Sequence, residues 1–384
     1  MNLYKSKVRD SGNHLYQSGL PLRTEGTPEA NGDDYYRTDL GKNMALDVRH
    51  ILGIDLGGTM TKIGFVDSKG TILQVKSFPT RLDLGKDRSL NQITHTLVHF
   101  IEAFKKGRKS IDLIGMGAPG IIDRHQGMIR HSPNFTDWLD VPIARIITKA
   151  TGLPTFVDND ANVVPYGEKW VGAAQDLNHF ACLTLGTGLG SGFFLNGRPW
   201  YGGQGVGPEF GHITVRPQGL LCGCGNRGCL ETLVSAPYLV KKAQRGLQRN
   251  SSPFLMKTLQ GDSKSISTQI LARGARQGDP FCLGLFAEMG KSLGQALAGL
   301  VHILGIEGII LGGGVSRAAT IFLPYLKKEF NKRLTMIPPE KISIRLSPLG
   351  ETSGILGAAK MALDRFNVDP TVRDPQVQVK PGSR

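Results

Sequence analysis

Short apolar runs separated by turn residues open the folded part of the chain. The first three are ILGID at 51–55, TKIGFVD at 61–67 and ILQVKSF at 72–78, with glycine-containing turns between them. Apolar runs of this length, bounded by such turns, predict strands. Because the connections are only a few residues long, we expect an antiparallel meander.

A helical period follows the meander. Apolar residues recur at spacings of three and four from Leu90 to Phe104, which predicts a helix with one apolar face. Further apolar runs predict a long helix and several strands, at 279–304 and at 113–116, 155–157, 180–185, 192–195 and 308–311. Strands that alternate with helices in two such units indicate an α/β protein of two lobes with a ligand cleft between them.

The two ends of the chain show neither period. Residues 1–46 are rich in Gly, Asn, Asp and Pro, and residues 367–384 are similar, so both are predicted to be disordered. Between them we expect a small α/β domain at 47–160, completed by a C-terminal helix at 351–366. A large α/β domain is expected at 161–350.

Composition excludes some classes of protein. The sequence has no run of eighteen apolar residues and no apolar stretch near its start that resembles a signal peptide, so we expect a cytosolic protein without a membrane partner. The net charge of +14 raises the question of nucleic-acid binding. Residues 1–46 carry six basic and six acidic side chains, and the excess positive charge is spread over several predicted helices. We therefore expect solvated faces and no nucleic-acid partner.

A glycine-rich turn follows the first predicted strand, at Asp55-Leu56-Gly57-Gly58-Thr59. Glycines let backbone N–H groups approach a phosphate closely, and a threonine adds a hydroxyl donor. Asp55 could hold a water bound to Mg²⁺, and Lys62 is assigned to the same phosphate site. The alternative is a plain hairpin turn.

Two more glycine-rich turns follow later strands. One joins two strands and contains Gly186, Thr187 and Gly188, while the other precedes a predicted helix and contains Gly312, Gly313 and Gly314. Together the three turns predict a site for ATP. Residues 115–120 match the G-x-G-x-x-G pattern, but a hairpin signal follows instead of a helix, which argues against a dinucleotide site.

Polar residues at the junction of the two units form the next candidate site. Asn159 and Asp160 directly follow a predicted strand. An aspartate at the floor of a cleft can accept the proton of a sugar hydroxyl that attacks a phosphoryl group, and Asn159 could bind a neighbouring hydroxyl. The alternative is that residues 158–160 cap the helix that begins at Ala161, and the two roles are compatible.

A cluster of metal-ligand residues gives the most specific signal. It consists of one histidine and three cysteines, His212, Cys222, Cys224 and Cys229. Three thiolates and one imidazole suit a closed, tetrahedral structural zinc site, and three reduced thiols near a turn are the alternative. Such a site would stiffen the loop that carries Glu209 and Glu231, whose carboxylates can bind sugar hydroxyls.

The cysteine cluster and its flanks resemble the signature of the ROK family of repressors, open reading frames and kinases. Residues 209–212 are similar to E-x-G-H and residues 222–231 to C-x-C-G-x-x-G-C-x-E, and the resemblance covers most of residues 48–366. It implies a two-lobed actin-like ATPase fold, which is ribonuclease H-like, with the active site in the interdomain cleft. It also implies an ATP-dependent hexose kinase that uses Mg²⁺ with ATP, contains structural Zn²⁺ and forms a homo-oligomer.

The resemblance also assigns roles to individual residues. Asp160 matches the catalytic aspartate, and Asp55 to Thr59 matches the first phosphate motif. The sugar-binding residues that it implies are Gly117, Asn134, Asn159, Asp160, Glu209, His212 and Glu231. Pro208 and Pro165 depart from the usual pattern, which affects the expected geometry of the loops rather than the functional groups.

Several functions of the same family remain open at this point. Glucose is the expected substrate because the segment around the cysteines looks most like the glucokinases of the family. N-acetylmannosamine, N-acetylglucosamine and fructose are alternatives, and polyphosphate is an alternative donor. A repressor would need an N-terminal helix-turn-helix, and residues 1–46 lack its two apolar-periodic helices. A sensor without catalysis would need neither Asp160 nor Asp55.

Overall fold

Two five-stranded sheets, one in each half of the chain, form the framework of the protein in the computed structural model. The model describes residue 48 and residues 50–107, 110–132 and 135–368, all within one structural unit, Asp47–Arg384. The strands are β1 His50–Leu56, β2 Met60–Asp67, β3 Ile72–Pro79, β4 Leu113–Ala118, β5 Ile121–Asp123, β6 Met128–Ser132, β7 Phe135–Val141, β8 Thr155–Asn159, β9 Phe180–Leu185, β10 Leu189–Leu195, β11 Arg198–Trp200, β12 Gly308–Gly312 and β13 Ser343–Leu346.

Helices cover these sheets. Within the described residues they are α1 Lys86–Lys105, α2 Ile143–Thr151, α3 Asp160–Val171, α4 Glu231–Val234, α5 Ala236–Gln248, α6 Pro253–Leu259, α7 Thr268–Arg276, α8 Pro280–Leu304, α9 Ala319–Arg333 and α10 Ser353–Val368. In the described part of the chain, no helix is both long enough and apolar enough to cross a membrane.

The first sheet has the strand order β3-β2-β1-β4-β8. The predicted meander is confirmed, because β1 pairs antiparallel with β2 and β2 with β3. β4 and β8 extend the sheet in parallel, with Asp55 opposite Gly117 and Ala118 opposite Asn159. The carboxyl ends of three parallel strands therefore meet at one edge, which brings Asp55, Gly117 and Asn159 together.

The second sheet has the order β11-β10-β9-β12-β13. β9 and β12 are parallel neighbours, and the register places Gly312 opposite Thr184. The second and third glycine-rich turns therefore leave the same edge of this sheet. The long helix predicted at 279–304 is α8, and it packs mainly against α9.

Helices α3 and α10 connect the two halves of the protein. α3 contacts β4 and β8 of the first sheet and β9 and β10 of the second, and α10 packs on α3, β1 and β4. Glycines make this packing possible. A Cβ atom at Gly115 would lie 1.9 Å from the carbonyl oxygen of Ala358 on α10, and one at Gly357 would lie 2.0 Å from that of Val163 on α3.

The structure differs from the sequence predictions in several elements. The segment 133–138, predicted as a loop, includes the start of strand β7, and the short helix α2 was not predicted. The C-terminal helix continues to Val368, beyond the predicted end at 366. The predicted tail at 1–46 and the rest of the tail at 367–384 lie outside the described residues.

Replacing Gly115 with alanine tests the contact between the first sheet and α10. Because the new methyl group would collide with a backbone carbonyl, we expect Gly115→Ala to lower the free energy of unfolding by about 1–3 kcal/mol or more. Gly299→Ala is the matched control, since nothing lies within 4 Å of its Cβ position on α8. There, alanine should stabilise the helix by up to about 1 kcal/mol. Urea titration measures both changes, and equal effects would contradict the packing.

Candidate active site

The junction of β8 and α3 positions the polar residues at the end of the first sheet. Asn159 is the N-cap of α3, and its side-chain oxygen accepts hydrogen bonds from the backbone N–H groups of Ala161 and Asn162. Its amide nitrogen donates to the carbonyl oxygen of Gly120 at 3.0 Å. Asn159 is therefore the helix cap, and Asp160 is the first residue of the helix.

Asp160 lies in an unfavourable environment for a negative charge. Burial raises the pKa of its carboxyl group to about 6, and repulsion from the carboxylates of Asp55 and Glu209 adds to the effect. The backbone N–H of Ala161 donates to Asp160 Oδ1 and opposes this shift. The carboxylates of Asp55 and Glu209 are therefore close enough to raise the pKa of Asp160, which can bind or release a proton near neutral pH.

The first glycine-rich turn connects β1 and β2. Gly57 N–H donates to the carbonyl oxygen of Met60, and a Cβ atom at Gly57 would lie 2.6 Å from that oxygen. The Thr80 side chain donates to the carbonyl oxygen of Gly57, and Thr80 N–H donates to that of Thr59. Thr80 thus holds the turn through two of its carbonyl oxygens, while Gly58 is half-buried and Thr59 is exposed.

Asp55 and Lys62 lie on either side of this turn. Burial raises the pKa of Asp55, and the charge of Lys62 lowers it. Lys62 Nζ is 3.1 Å from Glu351 Oε2, and the other oxygen of Glu351 is 2.6 Å from a guanidinium nitrogen of Arg317. Lys62 belongs to the first sheet and Arg317 follows the third turn, so Glu351 links the two halves of the protein through two ion pairs.

The second and third glycine-rich turns are in direct contact. A Cβ atom at Gly313 would lie 2.4 Å from the carbonyl oxygen of Leu185, the residue that precedes Gly186. Thr187, Gly313 and Gly314 are exposed, so their backbone can be reached from solvent.

The side chain of Glu231 contacts the second glycine-rich turn. Its Oε2 atom accepts a hydrogen bond from the backbone N–H of Leu189 at 3.0 Å. A Cβ atom at Gly188 would lie 2.7 Å from the same oxygen, so glycine is required for this approach. Glu231 is thus in contact with a turn that the sequence assigned to the nucleotide.

The predicted metal ligands come together. The ligand atoms of His212, Cys222, Cys224 and Cys229 all lie within 4.8 Å of one another. Cys224 Sγ is 3.7 Å from Cys229 Sγ, and His212 Nδ1 is 3.6 Å from Cys222 Sγ. A tetrahedral ion with bonds of about 2.3 Å to sulfur and 2.0 Å to nitrogen separates its ligand atoms by roughly 3.5–3.8 Å. The side chains therefore fit such an ion.

His212 connects this cluster with two carboxylates. Its Nδ1 atom faces the thiols, and its Nε2 atom lies 3.9 Å from Glu209 Oε2. Glu231 Oε1 is 3.4 Å from Cys222 Sγ on the other side. Burial raises the pKa of Glu209, His212 lowers it and Glu231 raises it. Glu209, His212 and Glu231 therefore form one group beside Asp160.

The two unusual prolines fit the structure without disturbing the site. Pro165 is buried in α3, and a Cβ atom at Gly192 of β10 would lie 2.8 Å from its Cγ atom. The carbonyl oxygen of Pro208 accepts a hydrogen bond from Ser191 Oγ at 2.5 Å, which fixes the segment before Glu209.

Two further predicted sugar residues have different outcomes. Gly117 packs against α3, since a Cβ atom there would lie 3.4 Å from the Cα atom of Asp160 and 2.9 Å from Val163. Asn134 lies outside the described residues.

Sequence reasoning missed Tyr201, whose hydroxyl group donates a hydrogen bond to Asp158, the residue directly before Asn159. A polar residue directly before Asn159 was the available signal, although it was interpreted only as part of a helix cap.

Two sheets joined by α3 and α10, with glycine-rich turns at their strand ends, are the arrangement expected of the two-lobed actin-like ATPase fold. The ROK family model matches residues 51–365. The chain belongs to the ROK family. The expected fold is thereby confirmed, as is the family.

Individual relatives support this assignment. A glucokinase of Thermotoga maritima is 37% identical over 319 residues, covering 82% of this chain and 98% of that protein. A crystal structure of a ROK family glucokinase from Streptomyces griseus in complex with glucose and AMPPNP has a TM-score of 0.70 at 32% identity, covering 82% of this chain and 99% of the other. A xylose repressor of Caldicellulosiruptor bescii is 28% identical, covering 83% of this chain and 79% of that protein.

The raised pKa of Asp160 predicts a cost in stability. Its carboxyl group ionises less readily in the folded chain than in the unfolded chain, so the wild type loses stability as the pH rises from about 4 through about 6. We expect Asp160→Asn to raise the free energy of unfolding at pH 8 by up to about 3 kcal/mol, and by less at pH 5. Urea titration at the two pH values measures the difference.

Asp176→Asn is the control with the opposite sign. Hydrogen bonds from Arg345 lower the pKa of Asp176 to about 2, so its loss should destabilise the protein at pH 8. An Asp160→Asn variant that is less stable than the wild type at pH 8 would contradict the assigned environment.

Proposed function

We propose that this protein is a glucokinase that transfers the γ-phosphoryl group of ATP to the 6-hydroxyl group of glucose. The observation that carries the proposal is the position of Asp160 at the start of α3, where burial and the charges of Asp55 and Glu209 raise its pKa to about 6. The similarity to proteins named glucokinase supports glucose as the sugar.

Asp160 is the proposed general base. A carboxyl group with this pKa is ionised at neutral pH and can still accept a proton as a sugar hydroxyl attacks phosphorus. Asn159 is fixed by its cap and by Gly120, so its amide can bind a neighbouring hydroxyl. Glu209, His212 and Glu231 would hold the remaining hydroxyl groups. Gly117 lets β4 pack closely on α3 beside Asp160, and its backbone would face the sugar.

The glycine-rich turns are the proposed phosphate site. Backbone N–H groups of Gly58 and Thr59 would face the phosphates from the first sheet, because that of Gly57 is bonded to Met60 and holds the turn. Those of Thr187, Gly188 and Gly312 to Gly314 would face them from the second, while that of Gly186 is bonded to Gly188. Lys62 would contribute positive charge after leaving Glu351. Asp55 offers a carboxylate oxygen of the kind that Mg²⁺ prefers, and its repulsion with Asp160 favours a cation there. Bound with ATP, Mg²⁺ supplies neutralisation of phosphate charge.

The cluster of His212 and the three cysteines is the proposed zinc site. The four ligand atoms lie within 4.8 Å of one another, and a set of three thiolates and one imidazole suits a structural rather than a catalytic ion. Zinc would fix the ring of His212 with Nε2 towards the sugar. It would also hold the loop on which Glu209 and Glu231 are placed.

Further features of the protein are proposed from the sequence. We propose a cytoplasmic enzyme that forms a homo-oligomer and has no nucleic-acid partner. One lobe would comprise residues 47–160 with the C-terminal helix, and the other would comprise residues 161–350.

The similarity to a xylose repressor favours a second candidate function, sugar-dependent regulation without catalysis. A nucleophile-activating carboxylate such as Asp160 would then be superfluous.

Replacing the proposed base tests the reaction. Asp160→Asn should lower kcat by about 10²–10⁴-fold while glucose binding, measured by calorimetry, stays close to that of the wild type. ADP release with Mg²⁺, ATP and glucose measures kcat, beside fructose, mannose, N-acetylglucosamine and N-acetylmannosamine. Wild-type kcat should fall as the pH drops below about 6. An active Asp160→Asn enzyme would disprove the role, and turnover of another sugar alone would reject glucose.

Removing one metal ligand tests the zinc site. The wild type should contain about one zinc ion per chain by inductively coupled plasma mass spectrometry, and Cys224→Ser should lose it because three ligands remain. The glucose KM should rise as the loop loosens. Cys282→Ala removes a buried thiol outside the cluster and should keep the metal. Wild-type protein that binds no zinc would rule the site out.

A further inference from the structure

A buried tyrosine joins the two halves of the protein directly beneath Asn159 and Asp160. Tyr201 follows β11 in the second half, and Asp158 lies in β8 of the first. The two residues are 8% and 2% exposed. The Tyr201 hydroxyl group donates a hydrogen bond to Asp158 Oδ2 at 2.5 Å. This contact between residues far apart in the chain is more buried than the ion pairs of Glu351.

The surrounding groups hold Tyr201 in one orientation. Asp158 Oδ1 accepts from the backbone N–H of Asn159 at 2.7 Å. Tyr201 has a single hydroxyl proton, which it gives to Asp158, so Tyr166 must donate the 3.0 Å hydrogen bond between the two tyrosines. The guanidinium group of Arg124 stacks on the Tyr201 ring at 3.6 Å from its centroid. Tyr201 is therefore fixed at both its ring and its hydroxyl group.

The segment 201–209 begins at this tyrosine and ends at Glu209. Gly207 N–H donates to the carbonyl oxygen of Tyr201 at 3.1 Å, so the segment closes on its own start. At its far end, Ser191 Oγ donates to the carbonyl oxygen of Pro208. Gly202, Gly203 and Gln204, between these anchors, are exposed. The segment also touches α3 near its end, since a Cβ atom at Gly207 would lie 2.6 Å from the side chain of Asn162. Tyr201 is thus the contact that joins the start of the segment to β8.

We propose that Tyr201 is a positioning residue for the sugar, acting through its hydrogen bond to Asp158. Asp158 immediately precedes Asn159 and Asp160 in the same strand end. The bond therefore helps to set the distance between the segment that carries Glu209 and the pair Asn159 and Asp160. Tyr201 contacts neither sugar nor nucleotide in this role, which rests on the proposed function. It should govern sugar binding rather than ATP binding or the phosphoryl transfer step.

Tyr201→Phe tests this role because it removes only the hydroxyl group. Loss of this buried hydrogen bond predicts a rise of about tenfold in the glucose KM. The ATP KM and kcat at saturating glucose should stay within about twofold of the wild type. A fall in kcat with an unchanged glucose KM would overturn the inference.

Tyr166→Phe is the matched control. It removes the other hydroxyl group of the same buried pair but leaves the bond between Tyr201 and Asp158 in place. Both variants should lose similar stability in urea titrations, whereas the glucose KM of Tyr166→Phe should stay within about twofold of the wild type. An equal rise in both variants would mean that general loosening explains the effect, and the inference would fail.

Hydrogen exchange separates this inference from the proposed function. Backbone N–H groups of residues 202–207 and of Glu209 should exchange at least about threefold faster in Tyr201→Phe than in the wild type, and at the wild-type rate in Tyr166→Phe. Wild-type protein that phosphorylates no hexose would reject the proposed function. The exchange rates would still show whether the hydrogen bond between Tyr201 and Asp158 holds the segment. Unchanged exchange in Tyr201→Phe would overturn the inference even in an active enzyme.

Discussion

The direct continuation of β8 into α3 is the constraint on which the rest of the site depends. Since β8 pairs with β4 and β4 with β1, the end of β8 shares an edge with Asp55 and Gly117. Asn159 satisfies the first N–H groups of the helix, which leaves Asp160 at its start. A helix N-terminus favours a negative charge there, so burial and the neighbouring carboxylates must outweigh it to raise the pKa of Asp160 to about 6.

Much of the fold could be predicted from local patterns. The meander, α1, α8 and the three central strands of the second sheet follow from local apolar patterns. The two edge strands of that sheet, β11 and β13, are short and were not predicted. β7 was missed because its residues do not alternate cleanly: Phe135, Trp138 and Val141 are buried while Leu139 is exposed. The packing of α10 was not predictable, since glycines such as Gly115 meet partners more than two hundred residues away.

The candidate site shows the same division. The metal ligands and the pair Asn159-Asp160 are close in sequence, so their spacing carried the signal. Tyr201 and Glu351 act through partners that only the tertiary structure brings near, with no local pattern to mark them. Glu231 was predicted at the sugar, and its hydrogen bond to Leu189 also connects it to the second turn, which depends on how α4 meets β10.

The link made by Glu351 differs in kind from the link made by Tyr201. Both ion pairs of Glu351 are exposed to water, and dissolved ions weaken interactions between such charges over about 8–10 Å. Exposed pairs also contribute little free energy at any salt concentration. One connection between the halves is thus buried and persistent, and the other is easily released. The exposed connection depends on the ammonium group of Lys62, which a bound phosphate would also attract. Phosphate binding can therefore open the ion pair of Lys62 with Glu351 while the buried hydrogen bond of Tyr201 stays in place.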